Sequence, residues 1–217
     1  MELEQDYSQK LYRIVYLKNY LVKKIDENQT IKRLCRYMTT TPLLNKGYSY
    51  DHRLIQQPDL VDSLLEPVVH DTQASIKDPT LVPYAFSESV LNDRKLSIYV
   101  HCPYSSFSPN RSTGRSSLSG TDVTGCHKFM IEVIYPIEYD RLEPFGEERA
   151  NLIGCEILNL IDGQYVDEET RKKVGACQFR VQGEVTNLRL STSGYMVLSI
   201  PVLTSVIGLR TLSDEED

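Results

Sequence analysis

The chain of 217 residues contains no tryptophan, no CxxC pair, and neither a GxxxxGK nor a GxGxxG segment. The missing glycine motifs remove the usual backbone cradles for nucleotide phosphates. No apolar run approaches the roughly 18 residues of a membrane-spanning helix, so no membrane association is expected. The N-terminal stretch MELEQDY is polar and acidic rather than a basic segment leading into an apolar one, which gives no sign of an export signal. Cysteine is sparse and odd in number: Cys35, Cys102, Cys126, Cys155 and Cys177 are scattered along the chain. The expectation is free thiols in a reducing compartment. Basic residues are outnumbered, 24 Lys and Arg against 30 Asp and Glu, for a formal net charge of -6. That balance argues against nucleic-acid binding as the main activity, because phosphate contacts need a basic face.

What remains is an ordinary globular composition, 41% apolar and 25% charged, with an unusual 14 tyrosines. Tyrosine suits a half-buried sheet and also an interface, since its ring is apolar and its hydroxyl stays wet.

Between Tyr7 and Ile25 the residues Leu11, Ile14, Val15, Leu17, Leu21, Val22 and Ile25 recur at helical spacing, and Lys and Arg fill much of the other face. A second short helix, with the seam Ile31, Leu34, Cys35 and Met38, is expected after a cap at Asn28 or Thr30. Pro42 ends it. From 42 to 93 the pattern is irregular and punctuated by proline, apart from a short expected helix over Pro58–Leu65. The segment Lys95–Cys102 alternates as a strand, placing Leu96, Ile98, Val100 and Cys102 on one face, and Pro103 is expected to end it. A Ser/Gly-rich loop over 103–126 leads to a second strand, Lys128–Pro136. A helix from Glu143 to Asp162 follows, with Pro144 at its start and the seam Ala150, Ile153, Ile157, Leu158, Leu160 and Ile161. Gly163 lies just past its end. Asp167–Lys173 reads as a charged, solvated loop. Strands over Gln178–Leu190 and Tyr195–Thr204 are joined by the turn Ser193-Gly194.

The expected fold class is α+β: a four-stranded, mainly antiparallel sheet from two β-hairpins, with helices packed on one face. One domain comprises N-terminal helices (1–41), an irregular extended region (42–93), an α+β core (94–212) and a disordered acidic tail (213–217). The uncovered sheet face must meet water or a neighbouring subunit.

No catalytic centre stands out. His101-Cys102 and Cys126-His127 flank the Ser/Gly loop, but adjacent strand residues point to opposite faces, so neither pair chelates a metal from a regular strand. No nucleophile signature surrounds any cysteine. Glu132 and Glu138 form a carboxylate pair with no sign of a cleft, and Asp167-Glu168-Glu169 belongs to the charged loop. The expectation is therefore no catalytic, cofactor-binding or metal-binding residue. Arg111 and Arg115 in the Ser/Gly loop have the chemistry to grip a phosphate or a partner's acidic surface, and protein contact is favoured.

The order helix, hairpin with a long tip, helix, hairpin resembles that of phage tail terminator and neck proteins. The segments Asn28–Leu34 with Pro42-Leu43, Val174-Gly175-Ala176 with Phe179-Arg180-Val181, and Leu188–Tyr195 are similar to the openings and endings of that group. The resemblance implies a structural virion protein, assembled in the host cytoplasm, that forms a homo-oligomeric ring at the head–tail junction. Its implied partners are its own copies, the tail tube and the connector or portal-proximal proteins. DNA would pass without specific binding, past an acidic surface that repels phosphate. A portal-bound head-completion adaptor is the nearest alternative, and a small-molecule enzyme of an unfamiliar family is the alternative of a different class.

Overall fold

The computed structural model describes residues 2–37, 43, 60–66, 80–85, 96–109, 123–142, 148–190 and 194–207. Helix α1 spans Glu2–Glu27 and α2 spans Gln29–Arg36. Leu17, Leu21 and Ile25, four residues apart, are wholly buried, with Tyr20 and Val22 beside them. Asn28 separates the helices. Its side-chain oxygen accepts from the Ile31 amide at 2.9 Å and so caps α2, whose Ile31, Leu34 and Cys35 are buried.

The sheet is open and mixed, with six strands among the described residues: β1 (Leu81–Val82), β2 (Ser97–Pro109), β3 (Val123–Pro136), β4 (Ala176–Val181), β5 (Thr186–Arg189) and β6 (Tyr195–Ile207). Their order is β1-β2-β3-β6-β4, and β5 also pairs with β6. All pairs are antiparallel except β1 with β2. The expectation of four strands is corrected in two ways. First, β1 comes from the stretch expected to be irregular. Second, the single strand expected over Gln178–Leu190 is broken into β4 and β5. Pro201 on β6 explains the break. The Gln182 amide donates to the Pro201 carbonyl at 3.1 Å, so the edge of Pro201 that lacks an N–H faces β4 and β5. The chain bulges there, with Gly183 at φ 109 opposite the Pro201 ring.

Pro103 does not end the first long strand. The register shifts between His101 and Tyr104, and pairing with β3 then resumes to Pro109. The bulge absorbs a residue with no amide to donate. The expected loop over 103–126 is therefore strand at both ends, to Pro109 and from Val123. Arg111 and Arg115 lie outside the described residues, as does the acidic stretch 213–217.

Helix α3 spans Arg149–Ile161, a later start than Glu143; Pro144 lies outside the described residues. Asp140 sets that start: its side-chain oxygen accepts from the Ala150 amide at 2.9 Å and its carbonyl from the Arg149 amide at 2.6 Å. The expected charged loop is instead α4, Glu168–Val174. Asp167 caps it by accepting from Thr170 N at 2.8 Å, with acids in the first turn and Arg171, Lys172 and Lys173 in the last, as the helix dipole favours. Residues 60–66 form turns and bends rather than a helix.

The main core unites the helices with one sheet face. Ile98, Val100, Phe129, Ile131, Val133, Phe179, Leu198, Ile200 and Val202 meet Leu17, Leu21, Ile25, Ile153, Ile157 and Ile161. A smaller cluster of Val82, Tyr99, Ile134, Tyr195 and Val197 forms on the other face. Helix α3 approaches β6 closely at Gly154, where a Cβ would lie 2.7 Å from Leu198 Cδ2. Gly154→Leu is expected to overpack this contact and lower stability by about 1–3 kcal/mol, readable as a fall in Tm. Gly154→Ala should be far milder, because the Leu198 side chain yields and alanine favours helix. Equal Tm values for Gly154→Leu and the parent would refute the close packing.

Candidate functional site

The four histidines do not converge. His52 and His70 lie outside the described residues. His101 sits on the face away from the helices, where its Nε2 lies 3.1 Å from Glu132 Oε2, and each side chain is about one-fifth exposed. His127 is fully buried on the helix side, near Phe129 and beneath α1. Burial pulls its pKa from 6.5 down to about 4, and Arg13 pulls in the same direction. The two histidines flanking the hairpin thus serve opposite faces of one sheet. Among the described residues no group of three His, Cys, Asp or Glu side chains is placed to hold a metal ion.

None of the five cysteines is in a disulfide. Burial pushes the Cys35 and Cys177 thiols up to about 12, which keeps them protonated and poorly nucleophilic. Cys102 is also raised, mainly by burial, and its thiol donates to the Tyr104 carbonyl at 3.3 Å. Glu132 is paired with His101, and Glu138 lies at the exposed 3-10 turn Ile137–Tyr139. Asp167 and Glu169 serve α4, as cap and as the partner of Lys173 at 3.3 Å.

The most committed polar groups hold elements together. Arg149, only 1% exposed, sends Nη1 to the Leu34 carbonyl at 2.6 Å and the Tyr37 carbonyl at 2.9 Å, satisfying the open end of α2. Burial lowers its pKa and raises that of Asp140. At the α1–α2 corner, Asp26 accepts from the Ser63 hydroxyl and the Leu64 amide, Gln29 exchanges bonds with the Leu60 backbone, and Arg36 donates to the carbonyls of Ser63 and Glu66. These residues went unnoticed in the sequence. A signal for Arg149 was there: with Ile153, Ile157 and Ile161 it completes a four-residue spacing, placing a guanidinium on an apolar stripe.

The second sheet face carries an apolar cluster of its own, whose members are only 2–7% exposed. A row crosses it strand by strand: Val82, Tyr99, Glu132, Ser199 and Thr186. Beside it, Ile134 and Val197 are buried and Leu188 is 61% exposed. Tyr84 packs edge-on against Tyr99 and is itself 58% exposed. The sheet edge along β4 is closed by the strand-like run 163–166, through Val166 N to Cys177 O and Phe179 N to Gln164 O. The β5 edge has no such cover among the described residues. This face is a buried apolar cluster with one His–Glu pair, and its exposed apolar side chains, Leu188 and Tyr84, lie at the margin.

The chain matches no protein-family model, and no curated protein matches it.

The buried histidine predicts a pH effect. Its folded pKa lies below the unfolded value, so its contribution is fully present above 6.5 and is lost as pH falls towards 4. A shift of this size corresponds to roughly 3 kcal/mol at most. Asp140 opposes this at lower pH, since its raised pKa lets the folded state bind a proton earlier. Chemical denaturation from pH 7 to 4 should show stability falling, and His127→Leu should flatten that slope. A parent slope unchanged by His127→Leu would show that His127 does not titrate as described. Separately, Arg149→Met is expected to cost about 1–3 kcal/mol by leaving two carbonyls without their donor. An unaltered denaturation midpoint for that variant would contradict the capping role.

Proposed function

We propose that the chain is a structural subunit of a bacteriophage particle that assembles with its own copies into a ring at the head–tail junction, joins tail to head and leaves a path for DNA. The observation that carries this reading is the apolar margin of the second sheet face: Leu188 and Tyr84 are 61% and 58% exposed beside a cluster that is itself buried, with no described helix over it. A ring subunit contacts a neighbour on each side, so it needs apolar surface beyond its own core. The paired strands β2 and β3, 13 and 14 residues long, are fixed in the sheet by β6 along β3 from Gly125 to Pro136, a rigid base for the segment between them. Arg111 and Arg115 fall between them in sequence, and rigidly carried segments are where binding concentrates. The net charge of -6 suits a channel that DNA crosses without sticking. The order of β2–β3 hairpin, α3 and β5–β6 hairpin supports reading the fold as tail-terminator-like.

Native mass spectrometry and negative-stain microscopy test the assembly: closed rings are expected. A monomer at the highest soluble concentration would overturn the reading. A second test separates the neck role from oligomerisation alone. With Arg111→Glu/Arg115→Glu as the sole copy, folding should be retained while heads and tails stay unjoined in micrographs. Normal yields of infectious particles would remove the docking role of these arginines.

A further inference from the structure

Strand β5 borders the sheet, and among the described residues nothing pairs with its outer edge. The other borders are blunted. Strand β4 is covered by residues 163–166, β1 is two residues long and runs into Pro83, and β2 beyond β1 is broken by the bulge at Pro103. Strand β5 carries none of these devices. Thr186–Arg189 contains no proline and no lysine, keeps one register with β6 throughout, and holds Leu188 in solvent. A regular edge of this kind presents amides and carbonyls that another strand completes.

The turn into β6 fixes which backbone groups point outwards. The Leu190 amide donates to the Tyr195 carbonyl at 2.9 Å, one step beyond the last β5–β6 partners, Arg189 and Met196. Hydrogen-bonded and non-hydrogen-bonded pairs alternate along an antiparallel ladder, so Leu188 and Thr186 also turn their backbone groups towards β6. Asn187 and Arg189 turn theirs to the open side. The side chains alternate as well. Leu188 lies opposite Val197, on the face of the second apolar cluster, whereas Asn187 bonds to the Tyr135 hydroxyl on the helix side.

We propose that β5 pairs with the β5 of a second copy, antiparallel, about a two-fold axis at Leu188. Joining two edges in this way keeps each face of the sheet on its own side, so directly opposite residues belong to the same face. Three registers satisfy that condition within the strand. Centred on Arg189, two cations oppose each other, which is unfavourable. Centred on Asn187, Leu188 meets Thr186 of the second copy. Centred on Leu188, the exposed leucine meets its own counterpart at a non-hydrogen-bonded position, where opposite side chains are closest. Asn187 then lies opposite Arg189 of the second copy, and their outward amides and carbonyls bond on both sides of the axis. The two leucines cover each other and, beside Val197 and Leu190, join the apolar clusters of the two copies. The contact is far smaller than a standard interface, so it is weak and concentration-dependent. It closes after two copies, and so neither needs the ring nor builds it.

Disulfide trapping in the full chain tests this contact alone, in a background where the exposed Cys155 is removed by Cys155→Ser. Leu188→Cys would bring the introduced thiols of two copies to a Cα separation of about 4.5 Å, within disulfide reach, whereas Arg189→Cys would hold them about 8 Å apart, outside it. Under mild oxidation a disulfide-linked dimer is expected from Leu188→Cys, rising with protein concentration, and little from Arg189→Cys or the background chain. Adding Arg189→Pro removes an outward amide while leaving the bonds to β6 in place, and the dimer should be lost. No dimer from Leu188→Cys overturns the proposal, as do equal yields from Leu188→Cys and Arg189→Cys or a dimer that survives Arg189→Pro. Rings in micrographs without the trapped dimer would remove this pairing and leave the ring reading standing; the trapped dimer without rings would do the reverse.

Discussion

Burying a guanidinium sets the terms for the helical layer. Arg149 is almost wholly enclosed, so its donors must find acceptors inside the protein. It finds them at the end of α2, on Leu34 and Tyr37, while its own amide is held by the Asp140 carbonyl. One residue thereby ties the stretch after β3, the start of α3 and the end of α2. Asp140 completes the tie by capping α3 through Ala150. The nearby carboxylate and the α2 carbonyls together offset the cost of removing the charge from water. Without this joint, α2 would end in open carbonyls against an apolar neighbour.

The sheet obeys a second constraint, the missing amide of Pro201. Strand β6 pairs with β3 from Tyr195 to Val206 on one side, where proline costs no bond. On the other side Pro201 interrupts the ladder, splitting its partner into β4 and β5. The split has consequences for exposure. Strand β4 is closed along its outer edge by residues 163–166, whereas β5 beyond the bulge carries Leu188 into solvent. The polar inventory is spent differently. Asp26, Gln29 and Arg36 hold the 60–66 segment, Asp140 and Arg149 join helices, and Asp167 caps α4. The large apolar side chains left exposed include Tyr12, Tyr16, Tyr84, Tyr104 and Tyr165.

Much of the architecture was legible in the residues. The four-residue rhythm of Leu17, Leu21 and Ile25, a cap at Asn28 or Thr30, the alternation through Ile98 and Val100, and Gly163 behind α3 are local signals. Each follows from backbone periodicity or a single side chain's reach, so sequence alone determined them. The α4 helix was legible too, in its Asp167 cap and its acids-then-bases order, but the density of charge reads equally as a solvated loop. Tertiary structure alone decided the rest. A proline ends a strand or hides in a bulge depending on what lies beside it, and Pro103 and Pro201 show the second outcome. Asp140 caps a helix that begins nine residues later, and Arg149 seeks carbonyls more than a hundred residues away. His101 and His127 flank one loop yet serve opposite faces. Such pairings depend on which strands become neighbours, and that is set by burial across the whole chain rather than by any window of sequence.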